Sequence, residues 1–392
     1  MHYSEFLDRT LATNHRIPAY RLSVINQDKS QKEITTLISH RLISMNMSDN
    51  RGFEADEIDI QLSDHDGQLV FPRRGAQLEV AIGWQGEQLI PKGKFTVDEL
   101  QYSGSPDSLT IRARSADLRG SLSDKKERSF DNITFEKLIS QIAQENALEP
   151  ACADFFKEKI IPHLDQTNES DINLLTRLAE NHDAIATVKN GKLLFMPVGL
   201  GLSVSGKALP IMEITRQLGD SFNFSLTEND NYTAVRAYWH NMDTGKKGEV
   251  IVDENTKIER RTRTTKRKEK KDGTVTGQQQ TKKKYNNIVQ TAPVESDSNK
   301  MKTLRHTYKT EAYALNAAKA AFDRMKRGVA TFSLNLAHGN AELMPELRVR
   351  LIGFKDQIDS SDWIISKVTH SLTASGFTTA VECELKLESD TE

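Results

Sequence analysis

The sequence predicts an α+β fold that is mainly β, and three observations carry this. Most segments from Arg21 to Ser115, and again from Ala330 to the end, alternate apolar and polar residues with the period of a half-buried strand. The stretch between them holds two helical stripes and a hairpin signal. One alternating pattern also occurs twice, beginning at Gln77 and at Glu346.

The elements follow in order. "RLSVI", "RLISMNM", "EIDIQL", "AQLEVAIGW", "KFTVDELQY" and "DSLTIRARS" alternate and are separated by the turn clusters "DHDG", "QGE" and "SGSPDS". Short strands at such spacing predict a small barrel or sandwich over 1–115. Residues 116–210 change character. Thr134 caps a helix whose stripe is Phe135, Leu138, Ile139, Ile142 and Ala143. "ESDINLLTRLAENHDA" is a second helix, capped by Ser170 or Asp171, with Ile172, Leu175 and Leu178 inward. "AIATVKNGKLLFMPV" is a hairpin, because Asn190-Gly191 suits a two-residue turn that needs positive φ. Strands return in "FNFSLTEND" and "YTAVRAYWH". A helix capped by Thr310, with Leu315, Ala318, Phe322 and Met325 as its stripe, stops at Gly328. The last strands are "ATFSLNLA", "ELRVRLIGF", "DWIISKVTHSL" and "FTTAVECELKL". The expected domains are 1–115, an α+β middle 116–210, a second strand domain over 211–244 and 306–392, and a flexible insertion 245–305.

In the repeat, each copy is an alternating strand ending in Gly-aromatic (Gly83-Trp84, Gly353-Phe354). A polar turn, an aromatic-led strand (Phe95, Trp363), a Ser/Gly turn and a last alternating strand follow. Two similar strand domains would then flank the helical one, and three chains would form a ring of six similar units.

The charge is uneven. Lys257 to Lys284 carries 12 Lys/Arg against three acids, a surplus of +9, leaving −11 for the rest of a chain whose total is −2. Within it, Arg260, Arg261, Arg263, Lys266, Arg267, Lys268, Lys270 and Lys271 are the candidate contacts for a partner or for nucleic-acid phosphates. Tyr285, at its edge, is its one aromatic, so base stacking has little support. A solvated insertion is the plain reading. No apolar run is long enough for a membrane helix and the N-terminus lacks a signal-peptide core, so the chain is expected to stay in the cytoplasm where it is made. Two cysteines, Cys152 and Cys383, provide no disulfide framework.

Candidate chemistry is thin. In the acid-rich run Asp49–Leu69, setting Gly67 at the glycine position of a calcium loop puts Leu62 first and Arg73 twelfth, so the loop fails. A strand fits better, with Ile58, Ile60 and Leu62 in a core and Glu57, Asp59 and Gln61 outward. "GLSVSGKA" has phosphate-loop spacing, but Ala208 stands where a magnesium-binding Ser/Thr is required. His163, Asp165, Glu169 and Asp171 cluster in "PHLDQTNESD", which is read as a loop entering a helix cap. No zinc spacing, nucleophile elbow or triad is visible, and no enzyme, metal or cofactor is expected.

Specific runs carry a resemblance. "SDNRGFEAD" (Ser48–Asp56) continuing into "IDIQL", then "RGAQLEVAIGW", "KGKFTVDE", "TIRARSADLRG", "IPHLDQTNESDINLLTRLAE", "GKLLF" and "DWIISKVTHSLTASGFTT", fall in order over nearly the whole chain. They resemble the late control gene D family of contractile-phage tail proteins. The pattern Glu169-Ser-Asp171…Leu175…Arg177-Leu178 is similar to the hub portion of VgrG, the type VI secretion spike. The resemblance implies a baseplate hub: a homotrimer with two β-barrel tube domains per chain in a pseudo-sixfold ring. It implies contacts with a tail spike protein, a tail tube protein or tube initiator, other baseplate proteins and passing DNA, without stable membrane insertion. It places the protein in the virion tail baseplate. The outward carboxylates Glu57 and Asp59 are then expected to face the lumen and repel DNA. The chain as given ends soon after its last strands, without a spike repeat or lysozyme-like domain, so piercing and wall cutting are expected from separate chains.

Overall fold

The computed structural model describes residues 16–25, 30–73, 75–115, 121–189, 191–199, 201, 203–204, 206–227, 232–242, 244–254, 256 and 301–386. They are mainly strands with few helices, in two compact units. The first is Met1–Ala179, Ala184–Leu226 and Ala330–Lys386, and the second is built on Thr227–Val329.

In chain order the first unit starts with β1 (Pro18–Ile25), β2 (Gln31–Glu33), α1 (Thr35–Ile38), β3 (Leu42–Asn50), β4 (Glu57–Ser63), β5 (Gln77–Trp84), β6 (Ile90–Ser103) and β7 (Ser108–Ser115). Its middle is β8 (Lys125–Thr134), α2 (Phe135–Glu145), β9 (Glu149–Cys152), α3 (Asp154–Lys157), β10 (Ile160–Ser170), α4 (Asp171–Asn181), β11 (Ala184–Lys189) and β12 (Lys192–Pro197). Then come β13 (Ile211–Thr215) and β14 (Gly219–Leu226). The second unit contains β15 (Ala234–His240), β16 (Lys247–Asp253), β17 (Met301–Tyr308) and α5 (Glu311–Arg327). The chain returns to the first unit in β18 (Ala330–Leu336), β19 (Arg348–Ile352), α6 (Asp356–Asp359), β20 (Trp363–Thr373) and β21 (Gly376–Leu385).

Alternation builds the strands. In β4, Ile58, Ile60 and Leu62 are buried, each worth about 1.5–3 kcal/mol on full burial. They join Met45, Met47, Val80, Phe95 and Val97 in one core. Phe332, Leu334, Trp363, Val381 and Cys383 form the matching core of the second strand set.

Thirteen strands of the first unit form one sheet, with path β14-β18-β21-β20-β3-β4-β7-β6-β5-β1-β2, and with β19 joining β13 to β20. The repeat is visible as strand order. The first set runs β3-β4-β7-β6-β5-β1 and the second β14-β18-β21-β20-β19-β13. Equivalent steps are antiparallel except the last, where β1 and β5 are antiparallel but β13 and β19 parallel. Irregularities repeat too. β6 shifts register against β7 between Val97 and Glu99, and β20 against β21 between Ile365 and Lys367. The backbones of Gly75 and Glu346 both have positive φ, +82° and +72°. Each donates to the strand opposite, Gly75 to the Val97 carbonyl and Glu346 to that of Ile365. The two sets are joined edge to edge where β3 pairs with β20 over Lys367–Thr373.

The helices stand where their caps and stripes put them. Thr134 Oγ1 accepts from the Lys137 amide, and Thr310 Oγ1 from that of Tyr313, at 3.3 Å each. Three expectations need correction. First, Ala234–His240 and the helix after Thr310 do not belong with the second strand set. β15 pairs with β16 and β17 in a separate sheet, against which Ala314, Leu315, Ala318 and Phe322 pack. Alternation shows that a strand exists but not which sheet it joins. Second, the ends of the 245–305 segment are the strands β16 and β17, while 257–300 lies outside the described residues. Third, "PHLDQTNESD" is strand rather than loop: β10 pairs with β8, and both are too polar to show alternation.

Candidate functional site

The face of the long sheet opposite the two cores is polar. Cross-strand register lays residues in rows over the eight strands from β14 to β6. One row reads Glu99, Arg112, Asp59, Asn46, Ser371, Thr378. The next reads Arg114, Glu57, Ser48, Thr369, Ala380, Asn335, Ser221. None of these side chains is fully buried. The face is mostly short Ser, Thr, Asn and Ala, with charge concentrated on β4, β6 and β7. Such a surface offers hydration and few apolar holds to anything moving across it.

The two sequence-predicted carboxylates sit here, about half exposed. Neither stands alone. Arg114 bridges Glu57 at 3.0 Å and Asp98 at 3.4 Å. Arg112 bridges Asp59 at 3.4 Å and Glu99 at 3.0 Å. Partial burial raises the Asp59 carboxyl above its ordinary range, against the pull of Arg112. These four acids and two arginines leave the patch weakly negative. Alternation in "TIRARS" puts Arg112 and Arg114 outward but does not single them out as partners of the carboxylates. Cross-strand opposite charges are the signal that finds them.

The "DNRGFEAD" run forms the end of β3, the connection to β4 and the residue before β4, and it is a clamp. Arg51 pairs with Glu346 at 2.6 Å and with Glu384. The Lys189 ammonium takes Asp49 at 2.9 Å and Asp56. Thr187 Oγ1 donates to the Gly52 carbonyl at 2.6 Å. One connection thereby ties the first strand set to the hairpin β11–β12 and to the second set. Burial, with Asp49 beside it, pushes the Asp56 carboxyl upward. A cavity of about 370 Å³ lies alongside, lined in part by Lys92, Lys189 and Glu346. Burial pushes the Lys92 amine down to about 8.

The remaining candidates disperse. His163 sits between Asp131 and Asp165, at 2.6 and 2.9 Å. Glu169 pairs with Arg177 at 2.8 Å. Asp171 is fully buried and accepts from Lys126 and Arg128, at 2.7 Å each. Ser170 Oγ caps α4 by accepting from the Asn173 amide at 3.2 Å. In "GLSVSGKA" the Gly206 amide donates to the Ser203 carbonyl in a turn. Cys152 and Cys383 are buried free thiols, both pushed up to about 12 by burial. Among the described residues no group of three His, Cys, Asp or Glu is placed to hold a metal, and no helix is long and apolar enough to cross a membrane. The basic candidates Arg260, Arg261, Arg263, Lys266, Arg267, Lys268, Lys270 and Lys271 lie outside the described residues.

This fold is similar to that of solved tail proteins. The tail protein from Neisseria meningitidis MC58 has it with a TM-score of 0.61 at 13% identity, over 93% of this chain and 96% of that one. The 43 kDa tail protein of prophage MuSo2 from Shewanella oneidensis has it with a TM-score of 0.59 at 10% identity, over 93% and 97%. This chain belongs to the phage tail baseplate hub (GPD) family, whose profile matches residues 56–376. It is 43% identical over 376 residues to the probable baseplate hub protein of Escherichia phage 186, covering 96% of this chain and 94% of that protein. The probable baseplate hub protein of Escherichia phage P2 is also 43% identical, with 96% and 95% covered.

Proposed function

We propose that this chain is the structural hub of a contractile phage tail baseplate. Three copies form a ring of six similar units, each strand set closing into a small barrel. The ring meets a sixfold tail tube, or its initiator, on one side and a threefold spike on the other. The polar face lines the conduit for DNA, with Glu57 and Asp59 in the lumen. Other baseplate proteins pack outside it, and the assembled protein sits in the virion tail.

The duplicated strand order carries this reading. A chain with two equivalent sheet sets can satisfy threefold symmetry as a whole and near-sixfold symmetry by its halves, which is the requirement at a joint between a tube and a spike. The arginine partners of Glu57 and Asp59 refine the electrostatics: the lumen is hydrated and weakly negative. That weak field resists DNA adhesion without opposing its entry. The basic residues Arg260 to Lys271 remain a proposed docking contact for a baseplate partner.

Light scattering on the purified chain tests the assembly. The expected mass is three times 44.2 kDa, at low and high salt alike. A monomer at every salt concentration and protein load counts against the ring.

A further inference from the structure

The seam inside the chain has a counterpart in the two outer edges of the eight-strand run. Superposing the registers makes Ser44-Met-Asn46-Met-Ser48 of β3 equivalent to Ser221-Phe-Asn223-Phe-Ser225 of β14, because Asn46 pairs with Asp59 as Asn223 pairs with Ser333. The same superposition makes Glu99–Ser103 of β6 equivalent to Lys367–Ser371 of β20. Within the chain, β3 and β20 are partners: Asn46 faces Ser371, Met47 faces His370 and Ser48 faces Thr369. Ser371 Oγ donates to Asn46 Oδ1 across that seam at 2.7 Å.

Their equivalents, β14 and β6, lie at opposite ends of the eight-strand run. Among the described residues no strand pairs with the outer edge of β14, and β5 pairs with β6 only as far as Thr96. Exposure shows what is missing. Met45 is 0% exposed in the seam, but its equivalent Phe222 is 44% exposed. His370 is 0% exposed, but its equivalent Tyr102 is 46%. Leu226, at the end of β14, is 67% exposed. Long apolar strand edges of this kind invite pairing.

We infer that β14 of one copy adds to the Glu99–Ser103 edge of β6 in the next, reproducing the internal seam between chains. Gln101 then faces the partner's Ser225, Tyr102 faces the partner's Phe224, and Ser103 bonds the partner's Asn223. The contact is head to tail, so each copy offers one edge of each kind and the ring closes with internal and external seams alternating. The polar face continues across the new seam through Gln101 and Ser103 against the partner's Ser225 and Asn223. The inference rests on the trimeric reading and gives it an interface.

The test is a double variant, Ser103→Cys with Asn223→Cys, treated with a short bismaleimide and run on a denaturing gel, with light scattering on the untreated sample. Because Cys152 and Cys383 are buried, the parent chain is the blank. Covalent dimers and trimers from the double variant, with neither single variant giving more than the parent, are the expected result. A second variant, Phe222→Asp, should lose the trimer mass while keeping the parent's circular dichroism and melting temperature. A trimer mass with no cross-link overturns this seam and leaves the trimer standing. A monomer mass with no cross-link overturns both.

Discussion

His370 shows how far a single residue's chemistry is set by its strand. It lies on the inward face of β20, its Nδ1 2.9 Å from Thr379 Oγ1. Burial first, then the nearby Lys92 ammonium, hold its pKa down at about 2. The folded protein therefore refuses a proton that the unfolded chain accepts below about 6.5. Unfolded chains then bind more protons than folded ones, so this group's contribution holds above pH 6.5 and is lost as pH falls, by up to about 1.4 kcal/mol per unit. Asp56, raised by burial, works in the opposite sense, so two proteins must be compared. Denaturant unfolding at pH 7, 6 and 5 should show His370→Asn losing less stability on acidification than the parent, and equal losses would show that His370 does not titrate on unfolding. The histidine and its alternation were legible in "KVTHSL". Its burial opposite Met47 was not, because that depends on a strand more than 300 residues away.

At the scale of elements, apolar alternation located β1, β3 to β7 and β18 to β21, and caps with stripes located α2, α4 and α5. Among the strands that escaped, β8 and β10 are polar. β8 is "KKERSFDNIT"; it pairs with β10 through the backbone, and an ion-pair network ties it to α2 and α4, since Lys126 and Arg128 both bind Asp171 and Glu145. Such a network leaves no period in the sequence. Asp171→Ala removes the buried acceptor that the two cations share, leaves both on Glu145, and should cost about 1.5–3 kcal/mol, read as a lower denaturation midpoint. A loss under about 1 kcal/mol would mean that solvent reaches the site and that the network is dispensable. The same limit applies to the repeat. The hairpins at Gln77 and Glu346 are visible as an echo, but the match of "SMNMS" with "SFNFS" is only five residues long and carries no such signal. Only strand register sets them side by side.

Over the whole molecule, the proposed function rests on the repeated strand order. The candidate site is a surface, and its rows cross the seam between two halves of one chain. Sequence could place Glu57 and Asp59 on an outward face, since period two decides that. It could not show their arginine partners on β7 or the continuity of the face from β6 to β14, which arise from pairing between distant segments. A reconstruction by electron cryomicroscopy of the purified assembly tests the central claim most directly. The expected map is a ring of three chains around an open channel, with Glu57, Asp59 and Arg112 on its inner wall and Phe222 covered by the neighbouring copy. A ring that turns this face outward, or an assembly with no channel, would contradict it.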